Sequence, residues 1–147
     1  EKLWRIRRDT LPALKAKCKD HLEADVVVPR YRLPFLVRAI QESVATKTVK
    51  VATFGHAGDG NLHVTIQYRK RNFAELEEAN ELLGDIYRKA IEMGGKLTGE
   101  HGVGITAKDY MKIQMSPAEI ALMKRIKYAF DPKGILNPGK IFPEESG

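Results

Sequence analysis

Apolar side chains recur along this 147-residue chain at two different spacings, and each change of period marks a new element. Asp9-Thr10 reads as a cap and Pro12 as a first-turn proline. Leu11, Leu14, Cys18 and Leu22 then follow at three- and four-residue intervals, which predicts a helix to about His21. Asp25-Val26-Val27-Val28 is a short β-branched strand closed by Pro29. Leu33, Leu36, Val37, Ile40 and Val44 return to helical spacing, with Pro34 in the opening turn. Val49 to Phe54 forms a second strand. Leu62, Val64 and Ile66 alternate with His63, Thr65 and Gln67, the period of a half-buried third strand. Asn72, with Glu75 three residues on, resembles a capping box. It opens a long helix through Leu76, Leu83, Tyr87 and Ile91 that Gly94-Gly95 ends. Lys96 to Thr98 completes a fourth, short strand. The order β-α-β-β-α-β is that of a ferredoxin-like α+β sheet. Ser116-Pro117-Ala118-Glu119 opens a further helix with Ile120, Met123, Ile126 and Phe130 as its core stripe. An irregular tail follows through Asn137-Pro138-Gly139-Lys140. One domain over residues 1–147 is expected.

Composition narrows the class. With 43% hydrophobic and 30% charged residues the chain reads as a globular protein. No apolar run approaches the roughly 20 residues of a membrane helix, and no signal-peptide pattern opens the chain. The expected location is cytoplasmic, including the periphery of a membrane complex. The chain starts at Glu1-Lys2-Leu3-Trp4, without Met and already in a helical pattern, so it reads as a piece of a longer protein. A net charge of +6 suits anionic partners; the plainer reading is a solvated face plus surface that another domain covers. RNA-recognition domains of this topology carry aromatics on their central strands. Here those strands offer Phe54 and Tyr68 alone, which excludes nucleic acid as the partner. The single cysteine, Cys18, rules out an internal disulfide and reads as packing. His21 is placed near a helix C-terminus, where its imidazole suits the dipole, and Trp4 is expected to anchor packing.

Two segments carry chemistry. In Gly55-His56-Ala57-Gly58-Asp59-Gly60-Asn61-Leu62-His63, Asp59-Gly60 is a preferred type I′ hairpin dipeptide. That turn places His56 opposite His63, Phe54 opposite Thr65 and Ala52 opposite Gln67, with Val51, Thr53, Val64 and Ile66 on the core face. Directly opposed Cβ atoms are about 4.5–5.5 Å apart, near enough for two imidazoles to share one ion. A looser register leaves the two on one rim, and two unrelated surface histidines are the simplest alternative. The second segment, Gly94-Gly95-Lys96-Leu97-Thr98-Gly99-Glu100-His101-Gly102-Val103-Gly104, sets an acid beside an imidazole after the fourth strand. That strand pairs beside the first, so the spacing alone does not bring Glu100 to the hairpin. If Glu100 does arrive, His56, His63 and Glu100 make an open-sided site for Zn²⁺, Mn²⁺ or Fe²⁺. His101 is then the natural base for a substrate hydroxyl. A small metal-dependent hydrolase and a non-catalytic ferredoxin-like binding domain remain alternatives.

Three stretches, GHAGDGNLH (55–63), GGKLTGEHGVG (94–104) and DPKGILNPGK (131–140), resemble the C-terminal region of the FAD-linked oxidase family. That family includes bacterial glycolate oxidase, D-lactate dehydrogenase and D-2-hydroxyglutarate dehydrogenase. Leu3-Trp4 followed by Arg7, and Asp25 to Arg30, agree more weakly. The resemblance implies an FAD-dependent oxidation of a small 2-hydroxy acid to the 2-oxo acid, with a divalent metal, zinc or manganese, held by His56, His63 and Glu100. It implies His101 as the catalytic base and Arg7 as the partner of the substrate carboxylate. Asn61, Asn137 and Lys140 are implied as flavin neighbours. The family's N-terminal FAD-binding domain, which holds most of the cofactor, lies outside this sequence, so the chain alone is expected to be inactive. Electron-transfer subunits are the further partners implied. Glu23 stands where the hydroxyglutarate enzymes carry a lysine, which favours glycolate or lactate over a dicarboxylate.

Overall fold

The structure, a computed structural model, describes residues 2–17 and 20–144. Within α1 the side chains of several residues, Arg7 among them, lie outside that description, as does all of Cys18. In chain order the elements are α1 (Lys2–Lys17), β1 (His21–Val27), α2 (Leu33–Val44), β2 (Lys50–His56), β3 (Asn61–Gln67), α3 (Phe73–Glu92), α4 (Met111–Gln114) and α5 (Pro117–Phe130). Helices and an antiparallel sheet combine in an α+β fold, with the strands ordered β1-β3-β2. The expected fourth strand is reduced to isolated bridges, Val27 to Lys96 and Asp25 to Thr98, along the outer edge of β1. β1 and β3 are therefore the inner strands, as the ferredoxin-like order requires.

Alternation along three strands gives the sheet two unlike faces. Ala24, Val26, Leu62, Val64 and Ile66 are buried against α2 and α3, which contribute Leu36, Ile40, Ala79, Leu82, Leu83, Ile86, Tyr87 and Ala90 to the same core. The opposite face carries rows read straight across the pairing: Glu23–Thr65–Ala52, Asp25–His63–Phe54 and Val27–Asn61–His56. Gly95 lets the chain return close beside β1, since a Cβ there would stand 2.2 Å from the Val27 carbonyl oxygen and 2.6 Å from that of Ala90. No described helix is long and apolar enough to cross a membrane.

Several local expectations are corrected. Helix α1 runs through Pro12 from Lys2, so Asp9-Thr10 is no cap; the Thr10 hydroxyl donates to the Ile6 carbonyl one turn back. It ends at Lys17, and His21 opens β1 opposite Gln67 instead of closing the helix, with its imidazole 3.2 Å from Glu23. Trp4 is 65% exposed and anchors nothing within the described residues. In α5 the stripe is shorter than its spacing suggests. Ile120 is buried and Met123 partly so, but Ile126 and Phe130 are 53% and 83% exposed, because the last two turns extend beyond the core.

Both capping signals occur, in different forms. Ser116 and Glu119 make a reciprocal box at α5. At α3 the Asn72 side chain accepts from the Glu75 N–H, but the Glu75 carboxylate turns to Arg69, accepting from its backbone N–H at 2.8 Å and from its guanidinium. Arg69 holds the buried Glu75 carboxyl below its ordinary pKa. The stabilisation is therefore present above the ordinary glutamate range and is lost as pH falls through the lowered folded-state value. The gap in melting temperature between the unsubstituted chain and Glu75→Gln should be widest near neutral pH and shrink below about pH 4; a gap that persists in acid would show that the ion pair contributes nothing.

Candidate metal centre

The polar face of the sheet meets the segment 98–101 at one end of the hairpin. The connection between β2 and β3 runs from Ala57 to Gly60, closed by an Asp59 N–H to His56 carbonyl bond of 2.9 Å. A type I′ turn needs positive φ at both central residues, and here Gly60 has it (φ 74°) while Asp59 does not. Gly60 is also pressed against β1's exit, where a Cβ would stand 2.0 Å from the Val28 carbonyl oxygen. The expected register is therefore corrected: His56 faces Asn61, and Phe54 faces His63. The slip is by an even number of positions, so each side chain keeps its face. His56 and His63 become diagonal neighbours, ring centroids 5.5 Å apart and edge to face.

Glu100 reaches them. Its Oε1 lies 3.4 Å from His56 Nε2, 3.2 Å from His63 Nε2 and 3.7 Å from His101 Nε2. Donor atoms bound at about 2.0–2.1 Å around one tetrahedral ion are about 3.3 Å from each other, so the two shorter separations suit ligands of a common cation. Nitrogen and carboxylate donors in this mixture suit zinc, manganese or iron. The His101 ring stacks on His63 at 5.1 Å with 15° between planes. His63 is largely buried, and that desolvation lowers its pKa, with Asp25 acting against the shift and His101 with it. A neutral imidazole is the form that ligates metal.

The residue that brings Glu100 here is Asp25, which no motif reading picks out as a site residue. Its Oδ2 accepts from the backbone N–H groups of Gly99 (3.1 Å), Glu100 (2.9 Å) and His101 (2.7 Å) and from the Thr98 hydroxyl (3.0 Å). Its Oδ1 accepts from the Asn61 amide at 2.7 Å and lies 3.3 Å from His63 Nδ1. Burial alone would raise its pKa, but the His101 and Glu100 N–H groups, Asn61 and Thr98 outweigh burial and hold it below the ordinary aspartate value. One ligand atom each from Asp25, His63, Glu100 and His101 can be chosen within 4.8 Å of one another. A carboxylate has about four lone-pair directions; Oδ2 of Asp25 is filled by four donors, and Oδ1 accepts from Asn61. Asp25 is thus placed to support His56, His63 and Glu100, the candidate ligands.

The family model described as FAD linked oxidases, C-terminal domain, matches residues 1–141. The chain belongs to this family. Among relatives of this FAD-linked oxidase domain, the glycolate oxidase subunit GlcD of Bacillus subtilis is 42% identical over 98% of the chain and 31% of its own length. The subunit of the same name from Escherichia coli K12 is 36% identical over 97% of the chain and 28% of its own length. D-lactate dehydrogenase of Anaerostipes hadrus is 37% identical over 94% and 29%. The chain thus spans about three-tenths of the length of these curated relatives.

The remaining expected site residues of the FAD-linked oxidase domain fall in different places. Asn61 is buried on the polar face, its amide donating to Asp25 and to the Val26 carbonyl oxygen. Asn137, in the left-handed region at φ 47°, accepts from Lys140 Nζ at 3.0 Å. Asn137 and Lys140 line a shallow cleft beside α5, with Lys127 and Asp131, that shares no wall residue with the histidine cavity. That cavity, of about 260 Å³, opens beside the candidate ligands and is walled by Glu23, Phe54, Thr65, Val103 and Ile105. Arg7 sits on α1, its side chain outside the description.

Proposed function

We propose that this chain is the metal- and base-bearing part of an FAD-dependent oxidoreductase that converts a small 2-hydroxy acid, of the glycolate or D-lactate type, to its 2-oxo acid. The observation that carries the reading is the approach of His56 Nε2 and His63 Nε2 to Glu100 Oε1, at 3.4 and 3.2 Å, next to an open cavity that His63 and His101 line. Those side chains would hold a divalent cation, which supplies Lewis acidity that lowers the pKa of a bound hydroxyl. The flavin of the family, when bound, would supply the acceptor for the hydride of the α-carbon.

The chain's own residues do the rest. His101, more than half exposed and beside Glu100, takes the hydroxyl proton. His63 and Phe54 close one side of the cavity against water. Glu23 in the cavity wall adds negative charge there and opposes a second substrate carboxylate, which supports a short monocarboxylic acid. Arg7 for the substrate carboxylate, and Asn137 with Lys140 near the flavin, rest on their motifs. Two of the relatives are named as subunits, and further subunits that accept electrons fit this reading.

The test is a product assay on the intact enzyme beside elemental analysis. Glycolate or D-lactate should yield the 2-oxo acid, with a divalent ion present for each chain. Hydrolysis of an ester without oxidation of either acid, or a folded enzyme that holds no divalent ion, would overturn the reading.

A further inference from the structure

We infer that Asp25 is the positioning residue of the centre, acting on the ligands from both of its carboxylate oxygens. The inference rests on the metal reading proposed above. Asp25 lies on β1, an inner strand, and is only 8% exposed. The segment 98–101 is tied to the β1 backbone only by the Thr98 bridge and a 2.7 Å bond from the Gly99 N–H to the Asp25 carbonyl, so beyond Gly99 something other than a ladder must fix its path. Oδ2 does so: it collects the N–H groups of Gly99, Glu100 and His101 together with the Thr98 hydroxyl. Successive N–H groups folded around one anion form a concave nest that holds each residue in place. The Glu100 side chain is thereby turned towards the histidines, and the His101 ring is laid on His63.

The other oxygen acts on His63. Nδ1 of this imidazole is buried without a hydrogen bond of good geometry, and Asp25 Oδ1 stands 3.3 Å from it. The nearby carboxylate favours a proton on Nδ1 electrostatically, without a hydrogen bond to it, and in that tautomer the Nε2 lone pair is left for Glu100 and the cation. A carboxylate behind a ligating histidine fixes its tautomer and raises its basicity. Asn61 steadies the arrangement by donating to Oδ1, and Gly99 leaves it room, since a Cβ there would fall 2.1 Å from the Asn61 amide nitrogen.

Asp25→Asn separates this role from mere packing, because it keeps shape and burial while replacing one acceptor by a donor. If the remaining oxygen stays with the N–H nest, the amide turns to His63 Nδ1 and forces the proton onto Nε2. In the full protein, Co²⁺ affinity measured against a competing chelator should fall by about 10–100-fold. The visible Co²⁺ spectrum should change, read on variant protein whose near-UV circular dichroism shows that it is folded. Unchanged Co²⁺ affinity and spectrum in a folded variant would overturn the role of Asp25. Failure of the unsubstituted protein to bind Co²⁺ would instead overturn the metal reading on which it rests. Should Asp25→Asn not fold, Thr98→Val decides: it removes one donor to Oδ2, and a several-fold weaker Co²⁺ affinity is expected, whereas an unaltered one overturns the inference.

Discussion

His101→Ala should lower turnover of the intact oxidoreductase by about 10²–10⁴-fold, the usual contribution of a positioned general base, and leave its metal content unaltered. The ring is 58% exposed and packs by stacking on His63. Its removal therefore opens no cavity in the core, and the fold should persist. Its Nε2 is also the farthest of the imidazole nitrogens from Glu100 Oε1, at 3.7 Å against 3.2 and 3.4 Å. That order of distances favours a group that works beside the ion over one bound to it. Because the base acts in the transition state, the loss should fall on kcat and kcat/KM together. Metal that disappears along with activity would show that His101 is a ligand and that another group takes the proton.

Glu100→Ala should have a larger effect on the metal itself. Glu100 Oε1 is the donor atom near which the imidazoles of His56 and His63 meet, and with it gone two neutral nitrogens remain to hold a divalent cation. Removing a supporting residue costs about 10–100-fold in metal affinity; losing the charged ligand should cost more, and turnover should fall with it. The fold should survive, because Glu100 is tied to Asp25 through its backbone N–H, and its carboxylate is half exposed. Elemental analysis with near-UV circular dichroism separates the outcomes. A folded variant with full metal content would remove Glu100 from the centre.

Where local physics governs, the residues are legible. The alternation from Asn61 to Gln67 identifies β3 and assigns its faces, because side chains on a strand alternate whatever lies beside it. Leu33 to Val44 and Phe73 to Glu92 form helices where their apolar spacing and Asn72 predict them. The errors lie where a distant group intervenes. Asp59-Gly60 looks like a two-residue turn, yet contact between Gly60 and the Val28 segment draws the chain into a longer connection. Ile126 and Phe130 continue a helical stripe with no core beneath them. The fourth strand reduces to bridges because the chain there bends around Asp25.

Which face of the hairpin bears His56 and His63 follows from residue order alone, since the strand period is two and an even slip in register preserves it. The same order sets an acid and an imidazole together in a glycine-rich segment, and its motifs point to the family. That Glu100 meets those histidines emerges from the folded chain and from nothing shorter-ranged. The meeting depends on a buried aspartate 75 residues away whose hydrogen bonds bend the backbone at Glu100, and no local periodicity encodes contact between segments so far apart in the chain.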